Sequence, residues 1–160
     1  MQQRMIVDIA DFVVSKDVDA LITTYALGSC IAVVLHDPKV QAAGMIHYML
    51  PLSSTNPEKA KVKPAMFADT GVPLLFHGMY GLGCKKEDII VKVAGGGHLY
   101  DDNGVFEIGK RNYTVLRRML WKTNVLVAAE DVGGSKSRTV SIEVSTGRCL
   151  VRSAGGEMEL

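Results

Sequence analysis

Cysteine is scarce in this sequence, and net charge is almost absent. Three scattered cysteines in 160 residues are too few for the disulfide framework of a small secreted domain. Lysines and arginines number 18 and aspartates and glutamates number 17, which leaves a formal net charge of +1. A nearly neutral chain lacks the basic surface that attracts nucleic acid or an anionic membrane. We therefore expect no nucleic-acid partner.

Unbroken apolar stretches long enough to span a membrane are also missing. The uncharged segments 20–36, 40–57 and 70–84 are each interrupted by polar residues, glycine or proline. Asp8 and Asp11 stand where a secretion signal needs an unbroken apolar run. We expect a cytoplasmic protein with reduced thiols and no membrane insertion.

The pattern of apolar residues predicts a single α+β domain over residues 1–160. Strands are predicted at 6–9, 12–14, 20–24, 31–35, 42–49, 89–94, 125–129, 139–144 and 149–152. One helix is predicted at about 110–122, and a second begins near Pro64. Because Gly71 and Pro73 interrupt it, we expect a kink or two short helices there, after a long loop at 52–63. The expected architecture is layered β-sheet flanked by about two helices.

The segment 24–30, Thr-Tyr-Ala-Leu-Gly-Ser-Cys, is the most informative part of the sequence. Gly28 and Ser29 place Cys30 at the start of an apolar strand, where consecutive backbone N–H groups can stabilise an oxyanion. Those amides and a nearby imidazolium would lower the pKa of the Cys30 thiol. The pattern therefore makes Cys30 a candidate nucleophile.

A candidate base follows on the next strand. His47 lies 17 positions after Cys30, and Asp37-Pro38 between them is a turn signal. If the two strands form an antiparallel hairpin, the thiol and the imidazole fall at the same end. Thr24 could orient the ring through its hydroxyl or its backbone carbonyl. A structural interpretation stays open, because cysteine, histidine and threonine are also ordinary packing residues in a sheet.

The remaining motifs favour neither a cofactor nor a metal. Gly95-Gly96-Gly97 follows a strand, but a dinucleotide fingerprint would need a further glycine at Tyr100. These glycines are better explained by a sharp turn or a close approach of the backbone to another segment. The four histidines are dispersed and no C-x-x-C or H-E-x-x-H spacing occurs. We expect no cofactor and no metal site, and we expect Cys149 to be a core residue.

A series of motifs runs in order from about residue 24 to residue 152. They lie at 24–30, 44–51 (Gly-Met-Ile-His-Tyr-Met-Leu-Pro), 68–70, 93–97, 108–112, 130–134 with 137–138, and 146–147. Together they resemble the CheD family of chemoreceptor glutamine deamidases. The resemblance implies a Cys-His-Thr site, which maps onto Cys30, His47 and Thr24. It also implies layered sheets flanked by helices, similar to the catalytic domain of cytotoxic necrotizing factor toxins.

The resemblance further implies an activity and partners. Family members hydrolyse the side-chain amide of selected glutamines on methyl-accepting chemotaxis receptors, giving glutamate and ammonia. Cys30 would be the nucleophile that forms a thioester, His47 the general base and acid, and Thr24 the residue that orients His47. From the turn itself, Gly28 and Ser29 are candidate oxyanion donors. Some members bind the CheC phosphatase.

Two other functions stay open at this point. The protein could be a non-catalytic adaptor that binds CheC or receptor helices, since binding needs no nucleophile. It could also be a receptor glutamyl methylesterase, because an ester would react with the same thiol.

One segment departs from the pattern of the family. Where the family usually has Gly-Gly-Ala, a variable residue and Met-Phe, this chain has Gly97, His98, Leu99 and Tyr100. If His98, Leu99 and Tyr100 border a substrate or partner groove, the specificity of this protein differs from that of typical members. A solvent-facing His98 is the alternative.

Overall fold

A computed structural model describes residues 2–98 and 107–160. The strands in these ranges are β1 (Gln3–Ile6), β2 (Asp11–Ser15), β3 (Ala20–Leu27), β4 (Ile31–Asp37), β5 (Ala42–Tyr48), β6 (Ile90–Gly95), β7 (Val127–Val132), β8 (Arg138–Glu143), β9 (Cys149–Ser153) and β10 (Gly156–Glu159). The helices are α1 (Pro57–Val62), α2 (Ala68–Gly81) and α3 (Ile108–Lys122), with short 3-10 turns at Ser53–Thr55, Pro64–Met66 and Lys86–Asp88. The predicted α+β class is confirmed.

The strands form two five-stranded sheets that pack face to face. The first sheet has the order β1-β3-β8-β9-β10 and the second has the order β2-β5-β4-β6-β7. The second sheet lies in the middle of three layers, because its other face is covered by α2 and α3. Every residue of β4 and β5 is therefore buried, which explains why their sequences are mostly apolar.

Alternation along β4 divides the core into two clusters. Ile31, Val33 and Leu35 pack toward the helices, whereas Ala32 and Val34 pack toward the first sheet. A site built on the inner face of β4 therefore lies between the two sheets.

The glycine and the proline in α2 do not divide it into two short helices, which was one of the two outcomes that the sequence predicted. A Cβ on Gly71 would lie 2.6 Å from Cδ1 of Ile46, so the glycine permits close contact between α2 and β5. Pro73 removes one hydrogen bond, to the carbonyl of Asp69 in the first turn, and the helix continues to Gly81. The helix gains more from packing on the sheet than it loses at these residues.

Three other element predictions are wrong. The first strand ends at Ile6, since Ala10, with a φ of 63°, turns the chain between β1 and β2. The expected loop at 52–63 contains α1, whose start is capped by Asn56 Oδ1 accepting from the Lys59 N–H at 3.1 Å. Strand β10 was missed because all four of its residues are exposed and carry no apolar pattern. None of the helices in the described ranges is long and apolar enough to cross a membrane.

Candidate active site

The hairpin of β4 and β5 brings Cys30 and His47 to the same end of the second sheet. The two strands pair antiparallel from Asp37–Ala42 to Ile31–Tyr48, as the sequence predicted. His47 is opposite Ala32, and Cys30 lies two residues before Ala32 on the same face. The two side chains are thus diagonal neighbours, an arrangement in which side chains can interact. Cys30 is partly exposed and His47 is fully buried.

Thr24 reaches the imidazole from the other sheet. Its Oγ1 lies 2.7 Å from Nδ1 of His47 and 2.7 Å from the carbonyl oxygen of Val7. The hydroxyl has one proton, which it must donate to the carbonyl of Val7, because a carbonyl can only accept. It therefore accepts from His47, so Nδ1 carries the proton and the lone pair is on Nε2. Thr24 contacts His47 through its side chain and not through its backbone.

A β-bulge in β3 begins directly after Thr24. Thr24 pairs with Val140 and Leu27 pairs with Arg138, so β3 has one residue more than β8 over this stretch. Ala26, within the bulge, has a φ of 58°. Residues 24 and 27 would face opposite sides of a regular strand, but here both are fully buried. Thr24 shares the inner face of β3 with Ile22 by ordinary alternation, and the bulge turns Leu27 to the same face shortly before the chain reaches Cys30.

The glycine run 95–97 holds the segment that carries Cys30. The Gly96 N–H donates to the Cys30 carbonyl at 2.8 Å, and the Gly97 N–H donates to the Gly28 carbonyl at 2.9 Å. A Cβ on Gly95 would lie 2.3 Å from the Cys30 carbonyl oxygen, and the φ of Gly95 is 112°. The run thus serves the close backbone approach that the sequence predicted.

The side chain of Arg138 donates a hydrogen bond to the start of this glycine run. Its side chain is 1% exposed and donates to the carbonyls of Gly95 at 3.3 Å and Gly133 at 2.7 Å. It also pairs with Asp131 at 3.0 Å. Its planar guanidinium can satisfy three acceptors at once, which a lysine cannot do in this geometry.

The backbone N–H groups next to the thiol are available as donors. In the part of the chain that the structure describes, no hydrogen bond accepts from the N–H of Gly28 or Ser29. Both residues are partly exposed. Their N–H groups can therefore bind an oxyanion that forms beside the sulfur.

Burial favours the neutral form of both the Cys30 thiol and the His47 imidazole in the free protein. The pKa of His47 is lowered to about 4, because burial disfavours the imidazolium. Burial also raises the pKa of the Cys30 thiol, an effect opposed in part by the backbone N–H of Cys30. The expectation of a thiolate with a lowered pKa is thus wrong. His47 Nε2 is buried without a hydrogen-bond partner in residues 2–98 and 107–160, so its lone pair is free and no hydrogen bond joins it to the Cys30 thiol.

The other candidate residues that the structure describes do not join this site. His98 is exposed and its N–H donates to the Gly134 carbonyl at 2.9 Å, while Leu99 and Tyr100 lie outside the described residues. Cys84 and Cys149 are buried free thiols. No cluster of potential metal ligands occurs among the residues that the structure describes.

Sequence reasoning missed Asn112, which contacts both segments of the site. Its Nδ2 donates to the carbonyls of Ser29 and Met49, each at 2.9 Å. The only sequence signal was its place in the motif at 108–112, which gives it no role. Arg138 was missed for the same reason, since a motif does not show which backbone carbonyls a side chain will reach.

A cysteine at the end of the second sheet, with a buried imidazole that donates to a threonine hydroxyl, is an arrangement that can support hydrolysis through a thiol. A family model described as CheD chemotactic sensory transduction matches residues 49–153. Together with relatives that are more than 30% identical over nearly the whole chain, this match shows that the chain belongs to the CheD family.

Three curated relatives illustrate the likeness. The "Probable chemoreceptor glutamine deamidase CheD 1" of Syntrophus aciditrophicus is 53% identical over 154 residues, which is 96% of each chain. The "Probable chemoreceptor glutamine deamidase CheD 2" of Anaeromyxobacter dehalogenans is 50% identical over 147 residues, 92% of each chain. The "Chemoreceptor glutamine deamidase CheD" of Thermotoga maritima is 34% identical over 157 residues, covering 98% of this chain and 96% of that protein.

Likeness to solved structures is much weaker. A crystal structure of a Neisseria meningitidis protein aligns with a TM-score of 0.45 and 9% identity, over 84% of this chain and 63% of that chain. This similarity is too low to support an inference about fold or function. The likeness to the catalytic domain of cytotoxic necrotizing factor toxins stays a prediction.

Proposed function

We propose that this protein is a chemoreceptor glutamine deamidase, which hydrolyses glutamine side chains of methyl-accepting chemotaxis receptors to glutamate and ammonia. Membership in the CheD family supports the activity and the substrate. The observation that carries the mechanism is the Thr24–His47 hydrogen bond, which leaves the Nε2 lone pair of the imidazole free at the end of the sheet where Cys30 lies. The enzyme is a cysteine-dependent amidohydrolase.

The first half of the reaction forms a thioester. His47 Nε2 takes the proton of the Cys30 thiol as the sulfur bonds to the carbon of the glutamine amide. The carbonyl electron pair moves to oxygen, and the N–H groups near Gly28 and Ser29 bind the resulting oxyanion. The oxyanion then collapses, the C–N bond breaks, and the proton on Nε2 passes to the leaving nitrogen. Ammonia departs and Cys30 carries the glutamyl group.

The second half of the reaction restores the thiol. His47 Nε2 takes a proton from water while the water oxygen attacks the thioester carbon. The C–S bond then breaks and the proton returns to sulfur, which releases glutamate on the receptor. One amide and one water have become one carboxylic acid and one ammonia, and no cofactor takes part. Thr24 holds the ring in the same tautomer through both halves.

The partners follow from this function. The substrate is the cytoplasmic part of a receptor, which places the protein in the cytoplasm, where thiols stay reduced. CheC, expected from the resemblance, stays a predicted second partner. Co-purification of this protein with CheC from the same organism tests that partner, and failure to co-purify contradicts it.

Mass spectrometry of a purified receptor cytoplasmic fragment tests the function. The fragment is incubated with the wild type, with Cys30→Ala and with Cys84→Ala, the last being a matched control at a buried thiol outside the site. We expect glutamine-to-glutamate mass shifts with the wild type and with Cys84→Ala, and none with Cys30→Ala.

Two outcomes contradict the proposal in different ways. Full activity of Cys30→Ala refutes the thiol mechanism. No shift with any variant, on receptors from the same cell, refutes the deamidase and favours the adaptor. Hydrolysis rates measured side by side on glutamine peptides and on glutamyl methyl ester peptides separate the deamidase from the methylesterase, since the deamidase must hydrolyse the amide.

A further inference from the structure

Asn112 connects the two segments that carry the nucleophile and the base. It lies in α3, and both protons of its carboxamide are used, one on the Ser29 carbonyl and one on the Met49 carbonyl. Ser29 directly precedes Cys30, and Met49 follows His47 by two residues. A single amide nitrogen thus joins the segment that carries Cys30 to the segment that carries His47.

This bridge stands where the pairing of β4 and β5 ends. The last pair in the ladder is Ile31–Tyr48, and the N–H groups of Met49 and Leu50 turn away to the Met66 carbonyl at 2.8 and 3.1 Å. Within the described ranges no backbone hydrogen bond joins residues 28–30 directly to residues 49–51. The carbonyls of Ser29 and Met49 cannot bond to each other because both are acceptors. Asn112 supplies two N–H donors that join these segments where the backbone hydrogen bonds between β4 and β5 have ended.

The helix that presents Asn112 is itself held in place on both sides. The Tyr48 hydroxyl, next to His47, donates to the Asn112 backbone carbonyl at 2.7 Å. A Cβ on Gly109 would lie 2.4 Å from the Gly97 carbonyl oxygen, so the start of α3 rests directly on the glycine run that holds Cys30. The carboxamide therefore sits on a rigid support.

The bridge also has a cost that packing alone does not explain. Asn112 is 0% exposed, and its Oδ1 is buried without a partner among the residues that the structure describes. Buried acceptors are usually satisfied, and an unsatisfied one destabilises the fold. Asparagine nevertheless provides two donors from one atom without adding charge, which aspartate, serine and leucine do not. The two donors explain why an asparagine stands here if they serve the reaction.

We propose that Asn112 is a positioning residue that sets the separation between the Cys30 thiol and the His47 imidazole. This inference rests on the proposed deamidase function. Without the bridge, the segments after the last ladder pair can move apart while the core below stays intact. Proton transfer from sulfur to Nε2 then loses its geometry, although the surface that binds the receptor is unchanged.

Steady-state kinetics of Asn112→Ala and Asn112→Asp test the role, with Asn124→Ala as a control at an exposed asparagine outside the site. We expect kcat to fall roughly tenfold or more in both Asn112 variants, with KM nearly unchanged. Asn124→Ala should keep the wild-type kcat. Denaturation curves are recorded first, and assays are run where each variant is fully folded, so that lost stability does not lower the measured kcat.

A second measurement needs no receptor and therefore separates the two proposals. The alkylation rate of Cys30 by iodoacetamide, followed by peptide mass, is compared between wild type and His47→Gln to measure the acceleration due to His47. We expect Asn112→Ala to lose most of that acceleration. The positioning role is overturned if the Asn112 variants keep the wild-type kcat. It is also overturned if His47 accelerates alkylation in these variants as much as in the wild type. If the wild type itself modifies no receptor but the alkylation result holds, the deamidase function fails and the positioning role stands.

Discussion

Thr24 and His47 belong to different sheets and lie 23 residues apart, yet Oγ1 and Nδ1 are 2.7 Å from each other. Because the threonine proton is donated to the Val7 carbonyl, the hydroxyl can only accept from the ring. One hydroxyl thereby determines the tautomer of the buried imidazole, which presents its basic nitrogen to the end of the sheet where Cys30 lies. The two sheets must pack together before this base exists.

Thr24→Val should remove the orientation of the base while preserving shape. Valine keeps the branched side chain but leaves the His47 Nδ1–H and the Val7 carbonyl without partners. We expect kcat to fall roughly 100-fold, in the range found for a general base, and stability to fall by about 1–3 kcal/mol. Thr24→Ser is the matched control and should retain most of the activity. Equal kcat values for the valine and serine variants would contradict the role of the hydroxyl.

The pH dependence of kcat/KM should reflect the low pKa of His47. Burial lowers this pKa to about 4, and only the neutral ring can accept the thiol proton. Activity is thus present above that value and is lost below it. We expect kcat/KM, which reports on the free enzyme, to show no titration at the ordinary histidine value of about 6.5. A loss of activity centred near that ordinary value would contradict the buried, neutral base.

The stability of the protein provides a second measurement of the same group. The unfolded chain binds a proton at His47 near pH ~6.5, whereas the folded chain does not bind it until about pH 4. The stabilisation is therefore complete above ~6.5 and is lost as the pH falls toward the folded value, by up to about 3 kcal/mol. Because burial also lowers the pKa of His36, the effect is measured as the difference between wild type and His47→Gln. Parallel stability curves for the two proteins would contradict it.

Arg138→Ala should destabilise the protein far more than Arg152→Ala. Arg138 is buried and donates to two backbone carbonyls and to Asp131. Its removal leaves these polar groups without their partner, which we expect to lower the stability by about 3–5 kcal/mol. Arg152 forms an exposed pair with Glu157 at 2.9 Å, and its loss should cost less than about 1 kcal/mol. Urea denaturation of both variants measures the difference. Similar midpoints for the two variants would show that the buried network adds little.

Much of the site was predictable because Cys30 and His47 lie at the ends of two strands that are joined by one turn. A turn signal between two apolar runs predicts a hairpin, and the alternation of side chains then places Cys30 and His47 at one end. The same local rules failed where packing outweighs propensity, as in α2, which continues through Gly71 and Pro73. They also failed at β10, whose exposed residues follow no periodic pattern.

The sequence by itself determined which residue types could react and where the hairpin would bring two of them together. The tertiary structure alone decided their chemical state: the burial that makes the thiol and the imidazole neutral, the tautomer that Thr24 imposes, and the bridge that Asn112 forms. These properties depend on solvent exclusion and on hydrogen bonds between segments far apart in the chain. Spacing along the sequence carries no information about either, because both arise only when the sheets and helices pack.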